Sequence, residues 1–330
     1  MALRVEPRNA FAFYNRGISK DRAGMYDSAI ADFSSAIAIL PTNADFFHNR
    51  GFCHRKRGSL DLAVADYTSA IDVNGKHFKA IYNRAFCYDK LERLVEAELD
   101  YSLALEIQPQ NPNALHNRGA VYERLNRASD AMKDFKAACH SSSNAHTSFH
   151  ALAMIKDREG EHEEALKFFS HAIACDLSNA VYRHNRGFCY RNQQKWREAV
   201  QDFGDCLNID RNYLQAYINR GYCYRKVGDY ELAIRDYSNA LKLETNLQGI
   251  HVVKSYNNRA YCFAKVHRFD LAVNDYTKVI VRDGSNLHAY HNRGISFEKM
   301  GELVLAKQDF EMARRITHNN NVEGGGGTEE

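Results

Sequence analysis

The chain has 330 residues, a net charge of +3, four prolines and eight cysteines. So small a net charge does not by itself point to nucleic acid or a membrane surface as partner, and no run of about 18 or more apolar residues is present to cross a bilayer. A single globule of this length is over-large, whereas an array that buries its core between neighbouring repeats has no such ceiling.

Residues 1–9 read as a short lead: Met1-Ala2-Leu3-Arg4-Val5-Glu6-Pro7 lacks the apolar stretch of a signal peptide, and a cytoplasmic location is expected. From Ala10 a 34-residue register takes over. Asn-Arg-Gly or Asn-Arg-Ala begins at Asn15, Asn49, Asn83, Asn117, Asn185, Asn219, Asn258 and Asn292. A period in this range means stacked repeats. Nine of them fit between Ala10 and Ile316, one degenerate copy filling the doubled gap after Asn117.

Counted from Ala10, the twentieth place is alanine in every repeat, from Ala29 to Ala306, and the twenty-fourth is always Phe or Tyr, from Phe33 to Phe310. The i, i+4 spacing puts both on one helical face. Glycine holds the eighth place in six repeats, among them Gly17, Gly51 and Gly187. Mid-helix glycine costs about 1 kcal/mol against alanine, so close backbone contact is the natural reason for it. The pattern predicts two helices per repeat, about residues 10–22 and 26–39 in the first, joined by a tight turn at Gly24. Cys53, Cys87, Cys189, Cys223 and Cys262 share the tenth place; without ligand or disulfide spacing they read as small buried hydrophobes.

Arginine fills the seventh place in eight repeats (Arg118 is one) and aspartate the twenty-third (Asp134 with it), and antiparallel helices would bring the two together. The fifth repeat has Leu152 and Phe168 instead. Joint loss predicts a pair exchanged whole for an apolar one, since breaking a buried pair on one side costs about 3 to 5 kcal/mol.

Further along, Ser141-Ser142-Ser143-Asn144 marks either a joint dividing repeats 1 to 4 (residues 10–143) from repeats 5 to 9 (residues 144–316), or a harmless insertion. Five extra residues around Gln248–Val252 precede the eighth repeat. The apolar Ile250, Val252 and Val253 suit an early helix start there, or again a neutral insertion. Lys307 and Arg314 occupy places that are mostly apolar in earlier repeats, as a polar last repeat requires. Residues 317–330, with Asn319 to Asn321, Gly324 to Gly327 and the closing Glu329-Glu330, are expected to form a disordered acidic tail.

These recurrences resemble the tetratricopeptide-repeat (TPR) family over some nine-tenths of the chain. The matching places are the large residue at the fourth (Phe13, Phe47, Tyr217), the eighth-place glycine, the twentieth-place alanine, the twenty-fourth aromatic, the small residues near the twenty-seventh (Ala36, Ala70, Ala104) and Pro41 or Pro109 at the repeat end. The resemblance implies an all-α fold, a right-handed α-solenoid of nine helix-turn-helix repeats, whose first helices line a concave groove. It implies a non-catalytic adaptor or scaffold. The eight asparagines of the signature fall at the sixth place, which faces that groove in the family. A carboxamide can donate to and accept from an extended peptide backbone, and repeats about 10 Å apart would meet a strand rising about 3.3 Å per residue once every three residues. The arrangement is similar to the asparagine ladder of O-linked N-acetylglucosamine transferases; the alternative is that these amides bond only within their own repeat.

Specificity would then come from Phe52, Phe86, Phe188, Tyr222 and Tyr261 at the ninth place and from Lys56, Lys90, Arg124 and Lys226 at the thirteenth, which together suit an acidic segment with apolar anchors. His48, His116, His150, His184 and His291 at the fifth place either strengthen such binding below about pH 6.5 or serve as aromatic filler. A chaperone-type carboxylate clamp is disfavoured, because the fifth place holds no lysine and the sixth no arginine. Motifs for phosphate loops, nucleophile elbows and zinc proteases are missing, and neither cofactor nor metal is expected; His146 with His150 is an isolated i, i+4 pair. The competing reading is a structural subunit of a large ciliary or cytoskeletal assembly, contacted over its convex face and edges. Nucleic acid along the basic row is the weakest reading.

Overall fold

The computed structural model describes residues 8–142, 145–244 and 249–324. Among these residues the chain is entirely helical: eighteen helices follow one another as nine helix-turn-helix pairs. The first pair is α1 (Ala10–Arg22) and α2 (Tyr26–Ile39), the next α3 (Ala44–Lys56) and α4 (Leu60–Val73), and the last α17 (Leu287–Lys299) and α18 (Leu303–Gly324).

Local chemistry sets the ends of these helices. Asn9, Asn43, Asn111, Asn179 and Asn286 each cap a first helix by accepting a backbone N–H; Asn9 Oδ1 takes that of Ala12 at 2.9 Å. The turn between the two helices always passes through a left-handed residue at the fifteenth place. Glycine supplies it five times, as at Gly24 (φ 74°) and Gly58 (φ 80°), and Glu92, Asn126, Gln194 and His267 adopt φ of 59 to 61° in the other four.

Close approach explains the glycines and alanines. A Cβ added to Gly17 would stand 2.7 Å from the Phe33 ring, and one on Gly119 2.8 Å from the Phe135 ring. Ala29, Ala63 and Ala97 are wholly buried, as are Phe33 and Tyr67. The five tenth-place cysteines are fully buried as well. Burial pushes the thiols of Cys53, Cys223 and Cys262 up to about 12 and that of Cys87 to about 11, so they are inert packing groups.

All eight arginine–aspartate pairs form. Arg220 Nε and Nη2 donate to the Asp236 carboxylate at 2.7 and 2.8 Å, and Arg118 does the same to Asp134 at 2.7 and 2.9 Å. In the fifth repeat Leu152 is fully buried in a core with Phe135 and Ile155, and Phe168 packs against it. The arginines also reach across to the preceding repeat. Arg50 Nη1 donates to Ser34 Oγ, Arg84 to Thr68 Oγ1 and Arg118 to Ser102 Oγ, each at 3.1 Å. Before Leu152 the corresponding place is Lys136, so hydroxyl and guanidinium are absent together.

The chain divides into two compact blocks, one ending at Cys175 and one beginning at Asp176. The first holds five helix pairs, through α9 (His146–Arg158) and α10 (His162–Cys175); the second holds four, from α11 (Ala180–Asn192) on. The division therefore follows the fifth repeat rather than residues 143–144. Leu152 and Ile155 continue the core of the fourth repeat through Phe135, so among the described residues the core runs on from the fourth repeat into the fifth. Ser143 and Asn144 themselves lie outside the described residues, as do residues 1–7, 245–248 and 325–330.

Two helix boundaries bear on the other expectations. The helix α15 (Ile250–Lys265) starts early, three residues before the register position Val253, and buries Val252. At the other end, the tail expected to be disordered from residue 317 is helical as far as Gly324. No proline or glycine interrupts α18 before Gly324, and Thr317 Oγ1 bonds back to the Ala313 carbonyl, so the ladder has no reason to stop at Ile316.

Candidate peptide-binding face

Within each block the first helices of successive repeats lie side by side. The sixth-place asparagines recur along this row, and a regular set of partners meets them. Asn49 Nδ2 donates to Tyr14 Oη at 3.0 Å, Asn83 Nδ2 meets His48 Nε2 at 3.1 Å, Asn117 Nδ2 donates to Tyr82 Oη at 2.8 Å and Asn219 Nδ2 meets His184 Nε2 at 3.1 Å. Every partner sits at the fifth place, one repeat earlier. Asn49 Nδ2 also donates to the Asp45 carbonyl at 2.8 Å; a carbonyl only accepts, which fixes the amide's orientation.

The row of carboxamides is thus partly engaged within the protein. Its donors stitch repeat to repeat. Among the described residues the Oδ1 atoms of Asn49 and Asn83 keep no protein partner, which leaves acceptors on the face. Asn219 differs: it is 9% exposed, and its Oδ1 accepts from Arg191 Nη1 at 2.7 Å, so both its ends are used. Asn185 Oδ1 pairs with His184 Nδ1 at 3.0 Å. Asn15 is exposed, and Asn258 and Asn292 are half-buried.

Four of the five fifth-place histidines pack against core aromatics and are buried or half-buried, while His291 is exposed. The His48 ring packs at a tilt 5.7 Å from Tyr67, His116 5.4 Å from Phe135, His150 5.8 Å from Phe169 and His184 5.6 Å from Phe203. Burial lowers the pKa of His48 and His150 to about 4 and depresses those of His116 and His184. They remain neutral where an acid-strengthened site would need them charged. No third candidate ligand stands with His146 and His150 among the described residues.

The ninth and thirteenth places do come together. Lys56 Nζ lies 5.4 Å over Phe52, Lys90 5.5 Å over Phe86, Lys226 5.6 Å over Tyr222 and Lys265 5.3 Å over Tyr261. None of these lysines has a carboxylate partner among the described residues. Arg124 stands apart, ion-paired to Asp89 and Glu92. The reason is the twelfth place, where the middle repeats carry Asp89, Glu123 and Asp157, acids within reach of the next repeat's base.

In the second, sixth and seventh repeats the twelfth place carries Arg55, Arg191 and Arg225, which inspection of the ninth and thirteenth places alone misses. Each guanidinium lies between the ninth-place rings of its own and the following repeat. Arg55 is 4.9 Å from Phe52 and 5.0 Å from Phe86, Arg191 is 4.0 Å from Phe188 and 5.7 Å from Tyr222, and Arg225 is 5.0 Å from Tyr222 and 5.1 Å from Tyr261. The sign change along one place of the register is visible in the sequence. The stacking is not, because it depends on how closely successive helices approach.

Stacked helix pairs with a cationic and aromatic row on the first helices define a helical-repeat protein whose chemistry lies on a surface. Tetratricopeptide-repeat models match residues 54–112 and 214–246. The chain therefore carries tetratricopeptide repeats at these residues, and its helix pairs have the tetratricopeptide-repeat fold. A tetratricopeptide repeat protein from Parabacteroides merdae is similar in structure at a TM-score of 0.54 and 23% identity, covering 72% of this chain and 94% of its own. The C-terminal part of a TPR repeat-containing protein from Cytophaga hutchinsonii gives 0.51 and 13%, covering 84% and 98%. The MamA protein gives 0.50 and 18%, covering 53% and 93%. At these identities the likeness concerns the fold alone. Among curated proteins, none matches the chain's sequence. No helix among the described residues is long and apolar enough to cross a membrane.

Proposed function

We propose that the chain is a non-catalytic, cytoplasmic protein-interaction scaffold whose first-helix face holds an extended, acidic and apolar segment of another protein. The observation that carries this reading is the pairing of Phe52, Phe86 and Tyr222 with lysines that have no carboxylate of their own. Such a row supplies apolar contact and uncompensated positive charge at one spacing. The acceptors left at Asn49 and Asn83 support backbone capture, since an extended segment presents N–H groups that need them.

Panning a library of unstructured displayed peptides against the chain tests it. Enriched peptides should be acidic with aromatic or aliphatic anchors, and should lose about tenfold or more in affinity to the Asn49→Ala, Asn83→Ala, Asn117→Ala variant with its helicity retained. Absence of enrichment, or peptides indifferent to those asparagines, would overturn the reading.

A second reading rests on Leu62, Val95 and Leu99, exposed at 55%, 59% and 64% on α4 and α6 (Leu94–Ile107). These lie on second helices, and suit a subunit of a larger, ciliary or cytoskeletal assembly contacted over the opposite face.

A further inference from the structure

In the second block three rings and two guanidinia alternate: Phe188, Arg191, Tyr222, Arg225 and Tyr261. Neither arginine has a carboxylate partner among the described residues. Arg191 instead uses Nη1 on Asn219 at 2.7 Å, and the Nε of Arg225 is buried with no hydrogen-bond partner. Beside this stack opens a cleft of about 510 Å³ lined by Arg191, Asn192, Gln194, Trp196, Tyr222 and Lys226. Trp196 meets Tyr222 edge-on at 6.0 Å, and Lys226 Nζ is 5.9 Å from the indole. We propose that this cleft is the anchoring subsite of the face: it takes one or two consecutive acidic side chains of the bound segment, held by the Arg191 guanidinium and the Lys226 ammonium against Trp196. The inference rests on the proposed peptide-binding reading and localises it.

Three features favour carboxylates. The cleft contains two cations and no acid, an arrangement that sequesters positive charge from its usual partner. Burial depresses the pKa of Arg191, whereas that of Arg186, bonded to Asp202, is raised, which marks Arg191 as a cation without compensation. Tyr222 has two guanidinia against its ring, Arg191 at 5.7 Å and Arg225 at 5.0 Å, and such a concentration of cationic donors favours oxygen acceptors such as carboxylates. The first block has a shorter version in Phe52, Arg55 and Phe86, which ends where Asp89 follows and the ninth place becomes Ala120.

Trp196 is the chain's one tryptophan, so its emission reports the cleft directly. The full-length chain is titrated with acetylated, amidated tetraglutamate, with tetraglutamine as control. Tetraglutamate should change the emission saturably and less tightly as salt rises, and Arg191→Gln or the exposed-site variant Lys226→Gln should raise half-saturation about tenfold or more. Arg191→Lys should recover part of the affinity. No change in emission, or an unaltered response in Lys226→Gln, would overturn the proposal. A response to oligothymidylate and not to tetraglutamate would overturn it in favour of nucleic acid. Panned peptides that need the asparagines but leave Trp196 emission unchanged would sink the cleft and keep the wider reading.

Discussion

Asp236 is fully buried, and among the described residues its one ion-pair partner is the bidentate guanidinium of Arg220, itself mostly covered. Removing the carboxylate leaves a cation in a dry site, so Asp236→Ala should cost about 3 to 5 kcal/mol in urea denaturation. Joining Arg220→Leu to Asp236→Phe copies the fifth repeat and should recover most of that loss, with a coupling above about 1 kcal/mol in the double-mutant cycle. Additive losses would show that the two charges act independently. The same cycle at Arg16 and Asp32 should give a smaller coupling, because the Arg16 side chain is 48% exposed. This pair was legible in the sequence, since both partners sit in one repeat and vanish together at Leu152 and Phe168. The hydroxyls of Ser34, Thr68 and Ser102 that bind the same arginines were not, for they belong to the preceding repeat and become neighbours only through stacking.

The turns and first helices carry two further consequences. The left-handed residue between paired helices makes Gly58→Ala unfavourable by about 1 kcal/mol, while Glu92→Gly relieves a similar strain; thermal melting of the two variants should move in opposite directions. Along the first helices, the folded chain holds His48 at a pKa of about 4 against an unfolded value of about 6.5. The unfolded chain therefore takes up the proton first. Stability from this group is complete above about pH 6.5 and is lost as pH falls toward 4. Melting temperature should drop over that interval, and His48→Tyr with His184→Tyr should flatten the decline while keeping a hydroxyl for Asn83 and Asn219, as Tyr14 provides for Asn49. An undiminished slope in that variant would place the effect elsewhere. Periodicity alone leaves the histidines open between site and filler. For His48, His116 and His184 the packing on Tyr67, Phe135 and Phe203 decides for filler, because ring contact and desolvation act together.

Taken together, the repeats put fold and function on different footings. A 34-residue register with invariant alanine and aromatic places dictates helix pairs before any coordinates exist, and the described helices follow it through both blocks. The face that would bind a partner is less legible, because the same asparagine can tie repeats together or serve a ligand, and only the position of Tyr14, His48 and Tyr82 shows that its donor is already used. Which face meets a partner is decided by photocrosslinking in the full-length chain, with a photoreactive phenylalanine analogue placed in turn at Phe86, Tyr222, Leu62 and Val95. An acidic peptide selected on the wild-type chain should crosslink from Phe86 and Tyr222 on the first helices and remain unlabelled from Leu62 and Val95. Crosslinks confined to Leu62 and Val95 would move the binding surface to the second helices and refute capture along the asparagine row.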